Sequence, residues 1–254
     1  MAIPIGLQLY TVRDLLGKDF EGTLAQIAKI GYKNVEFAGL YERKASDVRK
    51  LLDKLGLKAC SAHINIDGKP ETLQRHIDDA RVLGYDVIIS GLPSWNMEKT
   101  AAEYRKAVKT LCQAAKDAKA QGISYAYHNH SFEFQRFADA DNKSAMEIIF
   151  DESNPPLAAE LDVYWVQHGN DDPIKWIKKL AGRVPCLHIK DMEKGAGRGF
   201  AEVGTGIVDM KAVVAAAPAA GVRYLIIEQD SNWVKGDPLE SVRISLENFR
   251  KIAS

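Results

Sequence analysis

Eight times along 254 residues, a short apolar run is followed by an amphipathic stretch of helical period, and that alternation leaves few folds open. The apolar runs are IGLQLY (5–10), NVEFAG (34–39), KACSAHI (58–64), DVIISG (86–91), ISYAYHNH (123–130), LAAELDV (157–163), PCLHIKD (185–191) and YLIIEQD (224–230). Their length and composition are those of buried strands. After the first of them, FEGTLAQIAKI places Phe20, Leu24, Ile27 and Ile30 at spacings of three and four, and Gly31 stands where a helix ends. The same reading predicts helices over 45–56, 71–84, 100–121, 143–150, 172–182, 210–221 (disturbed near its end by Pro218) and 238–252.

Strands that alternate with helices pair in parallel, because each helix carries the chain back across the sheet. Eight such units in 254 residues fit a single (β/α)8 barrel, and no GxGxxG follows the first strand to favour an open dinucleotide-binding sheet. No linker or low-complexity segment divides the chain, so 1–254 reads as a single domain. The interruptions fall after strands, at 91–99, 130–142, 163–171, 191–209 and 230–237, on the face where barrels of this kind build active sites.

Charge narrows the function. Lys plus Arg and Asp plus Glu are equal at 34 each, and no dense basic run occurs, so no footprint for a nucleic acid is present. No stretch of eighteen apolar residues and no secretory pattern at the start is found, which makes the cytoplasm the expected location and a membrane partner unexpected. Cys60, Cys112 and Cys186 are far apart, without CxxC spacing, and read as reduced core residues. Whether the chain forms a homo-oligomer is open at this level.

The strand ends carry the chemistry. A buried strand should be apolar, because an unpaired carboxylate in a core is costly. Yet Asp162, His188 with Lys190, Glu228 and His128 all close strands on the same side, and Glu36 and His63 do so on strands two and three. Each has an ordinary reading: Asp162 as a helix cap, His188 as a satisfied core histidine, Glu228 as a solvated loop start. Four together, at the ends of consecutive strands, form the ligand set of one divalent metal ion of the Mn, Mg, Co or Zn type. His76 and His168 fall outside this set.

The segments GLQLYTVRD, YHNHSFEF, ELDVYWV, LHIKDM, FAEVGTGIVDM and IIEQD together resemble the xylose-isomerase-like TIM-barrel superfamily of sugar phosphate isomerases and epimerases. The resemblance implies a small-molecule carbohydrate substrate and a single divalent metal at the barrel mouth, held by residues of strands five to eight. Asp162, His188 and Glu228 match the last three ligand positions. Relatives with ketose epimerase or isomerase activity carry a Glu at the end of strand five, where this chain has Tyr127 or His128. Either His128 replaces that carboxylate or Glu133 reaches back from the loop; Glu133 is favoured, since a third carboxylate suits a hard cation.

The chemistry implied is proton abstraction next to a carbonyl through a metal-stabilised enediolate. Glu228, His128 and His130 are the candidate bases, and Lys190 is placed to fix a substrate oxygen. Glu36, His63, Trp95 and Trp233 are expected on the substrate side, the two tryptophans stacking on a sugar face. An isomerase or epimerase leads. A lyase or dehydratase acting on a keto-sugar, inosose or 3-keto-glycoside follows through the same intermediate. An abasic-site endonuclease ranks lower, given six histidines and zero net charge, and so does a non-catalytic sugar-binding barrel, given the intact metal-ligand set.

Overall fold

In a computed structural model that describes residues 2–91 and 100–253, eight parallel strands close into a barrel. They are β1 (Ile5–Gln8), β2 (Asn34–Phe37), β3 (Lys58–His63), β4 (Val87–Ser90), β5 (Ser124–His128), β6 (Ala158–Asp162), β7 (Cys186–Ile189) and β8 (Tyr224–Ile227). Each pairs with its neighbours in chain order, and β8 closes on β1 with Ile5 opposite Leu225 and Gly6 opposite Ile226. A Cβ on Gly6 would lie 2.8 Å from Cδ1 of Ile226, so a larger residue there would displace that side chain. No helix among the described residues is long and apolar enough to cross a membrane.

The expected helices form where the apolar spacing places them, at Phe20–Ile30, Ala45–Leu55, Pro70–Leu83, Ala101–Lys119, Ala145–Asp151, Pro173–Lys179, Met210–Ala216 and Pro238–Ile252. Thr100 and Ser144 each start a helix with a reciprocal capping box, satisfying backbone N–H groups that the first turn leaves open. Asp172 accepts from the Ile174 N–H at 2.8 Å and Pro173 opens the helix behind it. The helix over 210–221 stops at Ala216, and Pro218 starts a separate 3-10 turn, as a ring without an N–H dictates. Outward strand residues such as Leu7, Val35, Leu161 and Leu187 pack with Phe20, Trp176 and Phe249 in one buried core between barrel and helices.

Loops on the C-terminal side hold more structure than the sequence suggests, two of them beside the site. Residues 163–171, expected as a loop, contain a short helix, Val163–His168, because the Asp162 side chain caps it. The segment after β7 folds back as an antiparallel arm, Asp191–Met192 against Phe200–Ala201. Asp191 organises it by accepting N–H bonds from Gly204 (2.9 Å), Gly206 (3.0 Å) and Val208 (3.1 Å). A Cβ on Gly206 would meet Asp191 and the Met192 carbonyl at 2.3 Å, so the GTG turn of the sequence is a packing requirement.

Candidate active site at the barrel mouth

Side chains alternate along a strand, so residues two apart share a face. On β6 and β7 the inward set is therefore Glu160 and Asp162, then Cys186 and His188, with Lys190 just past the strand; Glu228 and Asp230 follow β8. Register brings them together: Asp162 lies opposite His188, which lies opposite Ile226, two residues before Glu228. Asn129 locks the ends of β5 and β6, its Oδ1 accepting from the Asp162 N–H at 3.0 Å.

The ligand atoms of Asp162, His188 and Glu228 lie within 4.8 Å of one another, and all three residues are buried. Asp162 caps the helix that follows it and keeps one carboxylate oxygen free of hydrogen bonds. Its Oδ1 accepts from the Trp165 N–H at 2.9 Å, capping the short helix, while Oδ2 is buried without a hydrogen-bond partner. His188 Nδ1 also lacks a hydrogen bond, although Glu228 Oε2 stands only 2.8 Å away; the contact is close but misaligned. Lys190 Nζ lies 2.7 Å from Glu228 Oε2, 3.2 Å from Asp162 Oδ2 and 3.1 Å from Asp230 Oδ2. Two orphaned polar atoms beside a carboxylate oxygen, from one imidazole and two carboxylates, form a donor set that fits a divalent cation.

Glu133 is placed apart from that triad. Its Oε1 accepts from the Tyr127 hydroxyl at 2.6 Å and its Oε2 from the His130 N–H at 2.9 Å. Burial nevertheless pushes its pKa up to about 7. His128, the alternative at this position, points Nε2 toward Asp162 Oδ2 at 3.9 Å and sets Nδ1 3.0 Å from Glu160.

Beneath the triad lies a network that the sequence reading missed. Glu160 is fully buried with its Oε2 among three imidazoles. The signal was available, since Glu160 precedes Asp162 by two on one strand face. Glu36, expected to face substrate, is instead enclosed in the barrel. It accepts from Gln8 Nε2 at 2.6 Å and from the Ser61 hydroxyl, and its Oε1 lies 2.7 Å from His188 Nε2. Burial raises the Glu36 pKa, helped by the neighbouring Glu160 charge, whereas at Glu160 the His188 and His63 imidazoles overcome burial and hold the pKa well below the carboxylate range. At His188 burial works downward, but Glu160, Glu36 and Glu228 together lift its pKa well above the ordinary value.

Above the triad opens a cavity of about 590 Å³, lined by His63, His128, His130, Lys190, Glu228 and Asp230 among others. The Trp165 ring lies 5.7 Å from that of His130 and borders the cavity, with Phe200 packed against its far edge. His130 Nδ1 is buried without a hydrogen-bond partner, and burial with the Lys190 charge brings its pKa down to about 3, so the ring is neutral. Asp230 is pushed up to about 6 by burial, against the pull of Lys190. Trp233 stands beside the rim, with the Arg13 guanidinium 5.7 Å over its ring; Arg13 itself borders the cavity and donates to the Asp230 carbonyl at 3.1 Å. Trp95 lies outside the described residues.

Known proteins place the chain in a family. Over 97% of its length it is 20% identical to an inosose dehydratase of Mesomycoplasma hyopneumoniae, covering 94% of that protein. A sugar phosphate isomerase/epimerase from Parabacteroides distasonis has the same fold at TM-score 0.83 and 23% identity, over 96% of both chains. The IOLI protein, solved with a bound zinc atom, superposes at TM-score 0.76 and 16% identity over 99% of this chain and 98% of that one. The profile of one family matches residues 24–252, nearly the whole barrel. This chain belongs to the xylose isomerase-like TIM barrel family.

Proposed function

We propose that this chain is a divalent-metal-dependent enzyme that removes a proton next to the carbonyl of a small polyhydroxylated ketone and eliminates a group from the adjacent carbon. Asp162 Oδ2, His188 Nδ1 and Glu228 Oε2 would hold the metal, with His128 Nε2 as fourth ligand. The bound cation supplies Lewis acidity to the substrate carbonyl. The reading rests on one observation: the cavity wall carries His130, a neutral imidazole whose Nδ1 has no hydrogen-bond partner.

His130 takes the proton from carbon, the C–H electron pair becomes a carbon–carbon double bond, and the C–O bond beyond it breaks. The same imidazolium then returns its proton to the departing oxygen, so one residue serves both half-steps. Lys190 orients an oxygen of the substrate, and Trp165 covers an apolar sugar or cyclitol face. The name carried by the inosose dehydratase relatives supports elimination.

Isomerisation or epimerisation is the second reading. It is favoured by Asp230, whose Oδ1 is buried without a hydrogen-bond partner and which could act as a second acid/base group. Incubation with inososes, ketoses and 3-keto-glycosides in D2O separates the two. Elimination yields an unsaturated ketone absorbing in the ultraviolet and depends on His130. Deuterium in an otherwise intact sugar, lost in Asp230→Asn, would overturn it in favour of the second reading.

A further inference from the structure

Glu160 has no part in either scheme, yet it occupies the centre of the ionisable layer. It is fully exposed to its neighbours and closed to solvent, and its Oε1 has no hydrogen-bond partner, an expensive arrangement for a carboxylate that merely filled space. One layer lower, the same strands fill the barrel with Val87, Ala126 and Ile226.

The geometry around the other oxygen is specific. Oε2 lies 2.5 Å from His63 Nε2, 3.0 Å from His128 Nδ1 and 3.1 Å from His188 Nε2. A protonated oxygen could donate to only one of these rings, so three ring nitrogens around one oxygen make it an acceptor and the rings donors. A neutral imidazole has a single N–H. When His128 donates from Nδ1, its lone pair is on Nε2, the nitrogen that faces Asp162 Oδ2 at 3.9 Å. His188 gives Nε2 to Glu36 at 2.7 Å and to Glu160 at 3.1 Å, so a cation that displaces the second ring proton would find the lone pair on Nδ1, facing Asp162 at 3.8 Å and Glu228 at 2.8 Å.

We propose that Glu160 is a positioning residue that fixes the tautomers of His128 and His188, so that both turn a lone pair toward the cation site. This rests on the metal reading above. Carboxylates behind metal-bound imidazoles orient the ring and select which nitrogen is free. Glu36 shares the task at His188, but no contact joins it to His128. The two carboxylates therefore differ in what they control.

The test labels histidine with 15N and reads each ring's tautomer from long-range proton–nitrogen spectra, alongside zinc affinity by chelator competition. In the wild type, His128 is expected as the Nδ1–H tautomer with and without zinc. Glu160→Gln should turn it into a tautomer mixture and weaken zinc binding about 10–100-fold. Glu36→Gln should leave the His128 spectrum unchanged. A wild-type His128 protonated on Nε2, or a Glu160→Gln protein with wild-type zinc affinity, overturns the proposal. If Glu160→Gln does not fold, the wild-type and Glu36→Gln spectra still decide it. If the wild type binds no zinc, manganese or cobalt, the metal reading fails, and the His128 tautomer in the metal-free protein separately decides whether Glu160 sets the ring.

Discussion

The lower and upper halves of the barrel interior are built by the same strands and have opposite chemistry. In the lower half, Cys60, Val87, Ile89, Ala126, Cys186 and Ile226 form a small dry cluster. Two residues further along, β5, β7 and β8 present His128, His188 and Glu228, and β6 runs from Ala158 through Glu160 to Asp162. Both halves are buried, so the difference is not one of solvent access. The lower half gains from removing apolar surface from water. In the upper half each charge sits within reach of an opposite partner, because an isolated one would neutralise or unfold its surroundings. What the pairing leaves over are the orphaned atoms of Asp162 and His188, two of the atoms proposed to hold the cation.

Substitutions in the two halves should therefore fail in different ways. The largest effect is expected in the upper half: Asp162→Ala or His188→Ala should remove about one equivalent of divalent metal, read by elemental analysis of protein purified without chelator. Metal content equal to that of the wild type would break the comparison. His130→Ala, at the cavity wall, should lower turnover about 10²–10⁴-fold while leaving metal content unchanged, which separates proton transfer from cation binding.

In the lower half, Ile226→Ala should cost about 2–4 kcal/mol in urea unfolding and leave metal stoichiometry in the folded protein intact. Loss of metal there would mean that the two layers are one cooperative unit. The smallest effect lies outside the barrel. Glu152 accepts from Arg105 at 2.7 and 3.1 Å and from Lys143 at 2.8 Å, and the Arg105 bonds lead in drawing its pKa down to about 2. A depressed carboxylate stabilises the fold above its ordinary pKa and loses that contribution as pH falls through the folded value. Glu152→Gln should accordingly be less stable than wild type by about 1 kcal/mol or less at pH 6, the difference vanishing near pH 2. Urea titrations at several pH values would check the sign.

Much of the upper layer was legible in advance, and the reason is positional. His128, Asp162, His188 and Glu228 stand at the ends of apolar runs, where a polar residue contradicts its surroundings. Glu160 breaks the same rule one step earlier, inside LAAELD, and was missed because it does not end the run. Glu133 went the other way: a carboxylate near a strand end in sequence, it turns to Tyr127 and the His130 backbone instead of to the triad. No periodicity governs a loop, so nothing in YHNHSFEF tells which way its one carboxylate turns. The helix at Val163–His168 was hidden for a related reason, since it depends on one cap, from a residue that also faces the site.

By itself the sequence determined the barrel, because periods of two and of 3.6 in the apolar residues dictate which faces must be buried, and eight alternations leave one way to bury them all. It also determined that ionisable groups would gather at one end, since six of the eight apolar runs carry a carboxylate or an imidazole near the same end. Only the tertiary structure decided which of those groups meet. Ring closure brings residues from distant positions within hydrogen-bond reach, His63 against Glu160 and Glu36 against His188. Partners so far apart along the chain leave no local pattern, and their roles are set by angles and distances that exist only once the barrel has closed.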